Sequence, residues 1–302
     1  MANINKSGLY VVIKNVNQLK KTINIINTLK SGKEINMHFT SEEIEGEKKN
    51  FLKISEDGIN DSVSIVIQHE LYSDEDKFKC VSNYNTCKSY STICVESKIL
   101  YDIFKSIDNN YTVIFYIYLN ESSLRISITN NSTFSQELKI ATIDPNYDET
   151  LAHYKTSCCV MMNTKVLTNN IKLYNKFTED LVLLCSNNSL SFESSTLSSN
   201  IESRTILSAN DSDVIIKPSS SITDIENMII KSTYPMKCMM LVTKIDDQFC
   251  EKVTIHFIPT IVSDIYAIMF YYSISKDEYI KITILPKNTK SNSNENNDQI
   301  EY

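Results

Sequence analysis

Residues 89–130 read SYSTICVESKILYDIFKSIDNNYTVIFYIYLNESSLRISITN. A short apolar run at 91–95 predicts a strand. The next segment, 96–107, predicts a helix, with Ile99, Leu100, Ile103, Phe104 and Ile107 on one face and Lys98 and Lys105 opposite. Two stretches of alternating apolar residues follow, 111–119 and 123–130, joined by a turn at Asn120–Ser122, which predicts a β-hairpin. A short helix set among antiparallel strands points to an α+β fold rather than to alternating βα units.

The same order of elements appears on both sides of this stretch. Upstream, 8–15 predicts a strand and 16–29 a helix with Asn15 as N-cap, its stripe formed by Val16, Leu19, Ile23, Ile26 and Leu29. Lys20, Lys21, Asn17 and Asn24 face away from that stripe. Weak strands at 35–40 and 51–55 flank a charged hairpin, EEIEGEKKN, and 62–71 is a clear strand; 77–80 is another. A strand at 136–143 precedes the acidic stretch DPNYDETLAHY at 144–154. Then the pattern restarts. A strand at 156–162 leads into a helix at 164–177 with Val166, Leu173, Tyr174 and Phe177 inward. Strands follow at 180–186, 189–194 and 202–209, then a polar loop, a strand at 228–233 and a helix at 235–245 opened by a proline. Strands at 252–258, 266–275 and 279–285 close the pattern. The expected organisation is one domain over 1–143, a linker over 144–154, a second domain over 155–287 and a polar, disordered tail over 288–302. The repetition is one of element order, not of sequence.

The helices share a second feature. Lys98/Lys105, Lys165/Lys172 and Lys237/Lys244 are spaced by seven residues, and Lys176 extends the second pair. Seven residues are nearly two helical turns, so each pair drifts only about 20° around its axis. A lysine pair on a single helix ordinarily marks a solvated face. Lysines recurring at the same places in a repeated architecture suggest a local basic surface for a polyanion. The net charge is −7, which argues against a chain coating nucleic acid over its whole surface and leaves room for a basic stripe within an acidic exterior.

The 302 residues suffice for one large domain or two smaller ones. The bias toward Asn, Ile, Lys and Ser, with four glycines and no Trp, fits an AT-rich coding genome such as that of some protozoa or large DNA viruses. The amino terminus, MANINKSGLY, lacks the apolar core of a signal peptide, and no apolar run nears the roughly 18 residues needed to span a bilayer. The chain is expected to be soluble, intracellular and not secreted, with its eight cysteines reduced.

Three stretches together resemble the DNA sliding clamp family, proliferating cell nuclear antigen. One is the 89–130 segment, similar to the clamp's strand, inner helix and hairpin. Another is QELKIATIDP with CCVMMNTKVLTNNIKLYNKFTEDLVLLCSNNSLSFESS, similar to the end of the first domain, the linker and the start of the second. The third runs through YPMKCMMLVTKI, KVTIHFIP, IYAIMFYYSI and YIKITILPK, similar to the last inner helix and closing strands. The resemblance covers most of 8–287. It implies two topologically similar domains, four inner helices against outer antiparallel sheets, and a ring around double-stranded DNA, as a homotrimer in most members. It implies a non-enzymatic processivity factor that needs no cofactor and no metal, recruiting DNA polymerase and other replication and repair clients.

The same resemblance implies that Lys20, Lys21, Lys98, Lys105, Lys165, Lys172, Lys176, Lys237 and Lys244 meet phosphates without reading bases. Strands 123–130 and 202–209 would be the edges that pair between subunits, through Arg125, Ser127, Arg204 and Ile206. Ile143, Tyr147, Leu151, Leu285 and Pro286 would flank a pocket for client peptides. Pro145 and the spacing of the linker depart from the usual pattern. The hairpin at 42–50 and the loop at 82–90 also depart from it and suggest altered partner choice. The compartment implied is a nucleus or a cytoplasmic viral replication factory.

Two further readings stand beside this one. The fold could serve a checkpoint-type clamp subunit or a clamp-derived viral transcription factor. In a different class, an α+β enzyme could assemble its site from scattered residues. No residue pattern supports the enzyme. Cys80, Cys87 and Cys94 lack the close pairs of a zinc site, and Cys158-Cys159 reads as strand core. His38, His69, His153 and His256 have no clustered acids or cysteines beside them in sequence. There is no glycine-rich phosphate loop, and Asp74-Glu75-Asp76 reads as a solvated turn.

Overall fold

The computed structural model describes residues 4–29, 34–58, 62–83, 88–130, 134–143, 155–194, 203–209, 213–219, 228–245, 247, 249–260 and 265–287. The linker at 144–154 and the tail at 288–302 lie outside the described residues. The first half contains β1 (Ser7–Val12), α1 (Val16–Leu29), β2 (Glu34–Ile44), β3 (Glu47–Gly58), β4 (Val63–Leu71), β5 (Phe78–Cys80), β6 (Ser82–Asn83), β7 (Lys88–Ser89), β8 (Thr92–Glu96), α2 (Ser97–Lys105), β9 (Thr112–Tyr118), β10 (Ser123–Thr129) and β11 (Ser135–Ala141). The second contains β12 (Cys158–Asn163), α3 (Thr164–Tyr174), β13 (Asp180–Ser186), β14 (Ser189–Ser194), β15 (Arg204–Ser208), β16 (Val214–Pro218), β17 (Ile229–Pro235), α4 (Met236–Val242), β18 (Lys252–Pro259), β19 (Tyr266–Ser273) and β20 (Tyr279–Ile284).

Strand pairing repeats between the halves. The first half has a five-stranded sheet in the order β11-β10-β9-β1-β5. The second half reproduces it as β20-β19-β18-β12-β16, inside a nine-stranded sheet that continues through β4-β3-β2-β8. The remaining second-half strands, β15-β14-β13-β17, match β4-β3-β2-β8. The chain is therefore an α+β fold of two topologically equivalent halves. They are joined where β20 pairs antiparallel with β4, from Tyr279 opposite Gln68 to Ile284 opposite Val63.

Burial of apolar stripes sets the layers. Leu19, Ile23 and Ile26 of α1 and Leu100 and Phe104 of α2 enter one core with Leu9, Phe115, Ile54 and Ile67 from the sheets. The Phe104 ring meets Phe115 edge-on, with centroids 6.0 Å apart. In the second half, Leu167, Ile171 and Tyr174 of α3 and Met239 and Val242 of α4 do the same. The Tyr174 hydroxyl donates to the Phe192 carbonyl at 2.6 Å and lies 3.2 Å from the Thr205 hydroxyl, tying α3 to β14 and β15.

Several expected boundaries are corrected. The hairpin at 42–50 belongs to two long strands, and its turn is only Glu45 and Gly46, both at positive φ (56° and 82°), as a two-residue hairpin turn of this hand requires. β16 falls in what reads as polar loop, because its single apolar run, Val214–Ile216, is short and half exposed. Leu173 does not face inward from α3. It is 46% exposed, and Leu167 and Ile171 take the buried positions.

The charged hairpin closes the joint between the halves. Its Glu45 pairs with Lys276 at 2.6 Å, and Lys49 of β3 pairs with Asp277. Both partners sit on the β19–β20 turn. From the first half, Gln68 Nε2 donates to the Asp277 carbonyl at 2.8 Å. Gln18 Nε2 and the Glu70 amide donate to the Glu278 carboxylate at 3.3 and 3.1 Å. Residues of this hairpin are thus engaged within the chain, whereas 84–87 of the loop at 82–90 lie outside the described residues.

Candidate functional site

Each helix follows a strand, and α1 and α3 are started by a side-chain cap. The Asn15 side chain accepts from the Gln18 amide at 3.0 Å ahead of α1, and Asn163 accepts from the Lys165 amide at 2.8 Å ahead of α3. Helices α2 and α4 follow Glu96 and Pro235, both in extended conformation. Because the apolar stripes are committed to the core, the opposite faces lie in solvent. Lys21, Lys98, Lys105, Lys165, Lys172, Lys176, Lys237 and Lys244 are all exposed there. Lys176 and Lys244 stand in the turns just past α3 and α4.

Lys20 differs from the expectation. It is half-buried, and its ammonium donates to the Ile107 carbonyl just past α2, where unpaired helix carbonyls attract a cation. It lies in the groove between α1 and α2, lined also by Asn17, Lys21, Asn24, Tyr101 and Lys105. There the Lys105 ammonium sits 5.7 Å from the Tyr101 ring centre. Lys21 sits the same distance from the ring of Phe249.

The sheet edges form the second candidate surface. Strand β10 is not an edge, contrary to expectation: it pairs with β9 on one side and β11 on the other. In an up-and-down meander the last strand lies outermost, so the edge is β11. Arg125 and Ser127 therefore cannot offer backbone to another chain. The Arg125 guanidinium is held by Glu121 at 3.1 Å and Glu137 at 2.7 Å and stacks 5.1 Å from the Tyr118 ring centre. Those carboxylates raise the pKa of Arg125. The Tyr116 hydroxyl first, and then Arg125, hold Glu137 below the usual carboxylate range. The other expected edge, β15, is one: among the described residues it pairs only with β14. Arg204 on it pairs with Glu193 at 3.0 Å, and Ile206 is 55% exposed.

Beside β11 runs a groove of about 390 Å³, lined by Ile99, Ile103, Tyr111, Phe134 and Leu138 together with polar Asp102, Ser106 and Gln136. Tyr111 and Phe134 stack with centroids 5.5 Å apart. Ile99 and Ile103 belong to the apolar face read from the sequence, but that face is wider than the core needs. Ile99 stays 39% exposed. This surplus on α2 was the legible sign of the groove.

Of the residues expected around a peptide pocket, Ile143 and Leu285 lie apart among the described residues. The Ile143 amide bonds the Cys94 carbonyl outside β8, at 2.9 Å. Leu285 extends β20, its amide bonding the Ser62 carbonyl at 2.8 Å. Five strand spacings separate them, roughly 24 Å at about 4.8 Å each. Both are well exposed, and Pro286 is half-buried. Tyr147 and Leu151 lie outside the described residues. Near Leu285, Ile258, Ala267 and Met269 form a small buried cluster separate from the main core. Beside it, Lys281 packs against the rings of Tyr279 and Tyr271, at 4.4 and 5.8 Å. Burial, aided by Lys53, lowers the Lys281 pKa; burial, aided by Lys281, lowers that of His256.

Among the described residues, no three His, Cys, Asp or Glu side chains gather where one metal ion could be held. Cys87 lies outside them. Cys158 is buried with its sulfur 3.8 Å from that of Cys185, whereas Cys159 is half-buried. No helix among the described residues is long and apolar enough to cross a membrane.

No family model matches the sequence, and no curated protein matches it. Solved structures do match the fold. The proliferating cellular nuclear antigen of Entamoeba histolytica superposes with a TM-score of 0.67 at 11% identity, over 93% of this chain and 99% of that one. The PCNA of Thermococcus kodakaraensis gives a TM-score of 0.67 at 14% identity, over 92% of this chain and all of that one. At such identity the likeness is one of fold.

Proposed function

We propose that this chain, which has the sliding-clamp fold, works as a ring-forming DNA clamp, a processivity factor that holds polymerase and other clients on double-stranded DNA. The observation carrying the reading is the pair of unused edges. Within the chain β20 pairs with β4, and among the described residues their equivalents β11 and β15 each end a sheet. Pairing β11 of one copy with β15 of the next repeats between chains the joint already made within one. Such head-to-tail contact is heterologous, and it closes into a ring when the rotation per chain allows. Closure also leaves no strand edge open to aggregation at these two sites. Three copies are the number the resemblance implies. Ile206, exposed on β15, supplies an apolar side chain for the groove beside β11. The helices then line the hole and present lysine to phosphate, independent of base sequence.

The joint between copies is the weaker one. The turns equivalent to the charged clasp are Asn130–Phe134 and Asn187–Asn188, and neither contains a charged residue. Opening for loading onto DNA is therefore assigned to that joint.

Retention on DNA tests the reading. Protein placed on a nicked circular duplex should stay bound through a high-salt wash. Linearising the circle should release it within minutes, because a ring slides off an end. Equal retention on circles and linear DNA contradicts topological binding. Turnover of a nucleotide or nucleic acid would favour an enzyme on this fold.

A further inference from the structure

We propose that the two halves grip the polyanion unequally, with α3 and its following turn carrying most of the salt-dependent hold. The proposal rests on the clamp reading above. When the halves are aligned at the helix caps, Asn15 on Asn163 and Glu96 on Pro235, the outward positions correspond. Lys98 and Lys105 of the first half fall on Lys237 and Lys244. Lys165 and Lys172 of the second half, however, fall on Asn17 and Asn24. The row that presents ammonium groups on α3 presents neutral carboxamides on α1.

Two further differences act in the same direction. The first-half lysines nearest that row are held by neighbours. Lys20 bonds the Ile107 carbonyl, Lys21 lies against Phe249 and Lys105 against Tyr101. Lys165, Lys172 and Lys176 have no ion-pair partner among the described residues, and all three are exposed. The helix α2 also carries a carboxylate on its lysine face. Asp102 is exposed and lies about 40° from Lys98 and about 60° from Lys105 around the axis. Its counterpart one turn beyond Lys165 on α3 is Asn169, exposed and neutral, and on α4 it is Leu241, buried. Unlike charge within a turn of each lysine weakens the field at a phosphate; a neutral neighbour leaves it intact.

The test removes equal charge from each half. Two triple variants are made, Lys165→Gln/Lys172→Gln/Lys176→Gln and Lys20→Gln/Lys21→Gln/Lys105→Gln. Association with a short linear duplex that can thread the ring is measured from low to moderate salt. The slope of log K against log salt falls by about 0.9 for each phosphate that is no longer neutralised. The second-half triple should lower it by about 2.7 per chain, and the first-half triple by less than about 1. The reciprocal pair sharpens the result. Asn169→Asp should weaken binding several-fold, and Asp102→Asn should strengthen it. Equal slope losses, or a larger loss in the first half, overturn the asymmetry and leave the clamp reading standing. Wild-type protein with no salt-dependent association overturns both. Thermal unfolding checks that each variant is folded.

Discussion

Tyr174→Ala should destabilise the chain by about 4 kcal/mol, within the roughly 3–5 kcal/mol typical when a buried aromatic is truncated. Tyr174 is fully buried, and its ring packs 5.2 Å from Phe177 and 6.4 Å from Phe192 between centroids. Its hydroxyl bonds reach β14 and β15, so the substitution also loosens the edge strand offered to the next chain. Tyr174→Phe keeps the ring and removes only the hydroxyl, and about 1 kcal/mol is expected for it. Chemical denaturation with unchanged m-value measures both. A loss under about 1 kcal/mol for the alanine variant would show that α3 is not anchored through this side chain.

Acid should destabilise the fold between about pH 6.5 and pH 4 through His69. This residue of β4 is buried against α1, with Nε2 2.9 Å from the Thr22 hydroxyl. Burial lowers its pKa from 6.5 to about 4. Above pH 6.5 neither state binds the proton and the group contributes nothing to the pH dependence. As pH falls toward 4, the unfolded chain takes up a proton that the folded chain refuses, so stability is lost, by about 3 kcal/mol at the lower limit. His256, also lowered by burial, acts in the same direction. The slope specific to His69 is the difference between wild type and His69→Gln, whose amide can still meet Thr22. Unfolding free energies measured at intervals across this range should converge in slope for the variant. Parallel curves would mean that His69 does not titrate as buried.

Much of the fold was legible because helices and strands here differ in period. Residues 96–107 and 111–130 declare helix and hairpin by apolar spacing alone, and Asn15 and Asn163 mark two helix starts. Element order likewise exposed the duplication. Which strand ends a sheet was not legible, because edge and interior strands of a meander alternate in the same way. Arg125 thus looked available when it is bound by two glutamates. The lysine rows could be read from spacing, but the capture of Lys20 by the Ile107 carbonyl could not, since α1 and α2 are far apart in sequence. The intrachain pairing of the charged hairpin was not legible for a related reason. Its partners Lys276 and Asp277 lie more than two hundred residues away.

The solution mass of the purified protein, measured by light scattering, tests ring formation most directly. The account predicts three times 34.6 kDa at micromolar protein, falling toward 34.6 kDa when Ile206 on the open edge is replaced by Lys. A wild-type mass of 34.6 kDa at every concentration, with and without a duplex to thread, would contradict it.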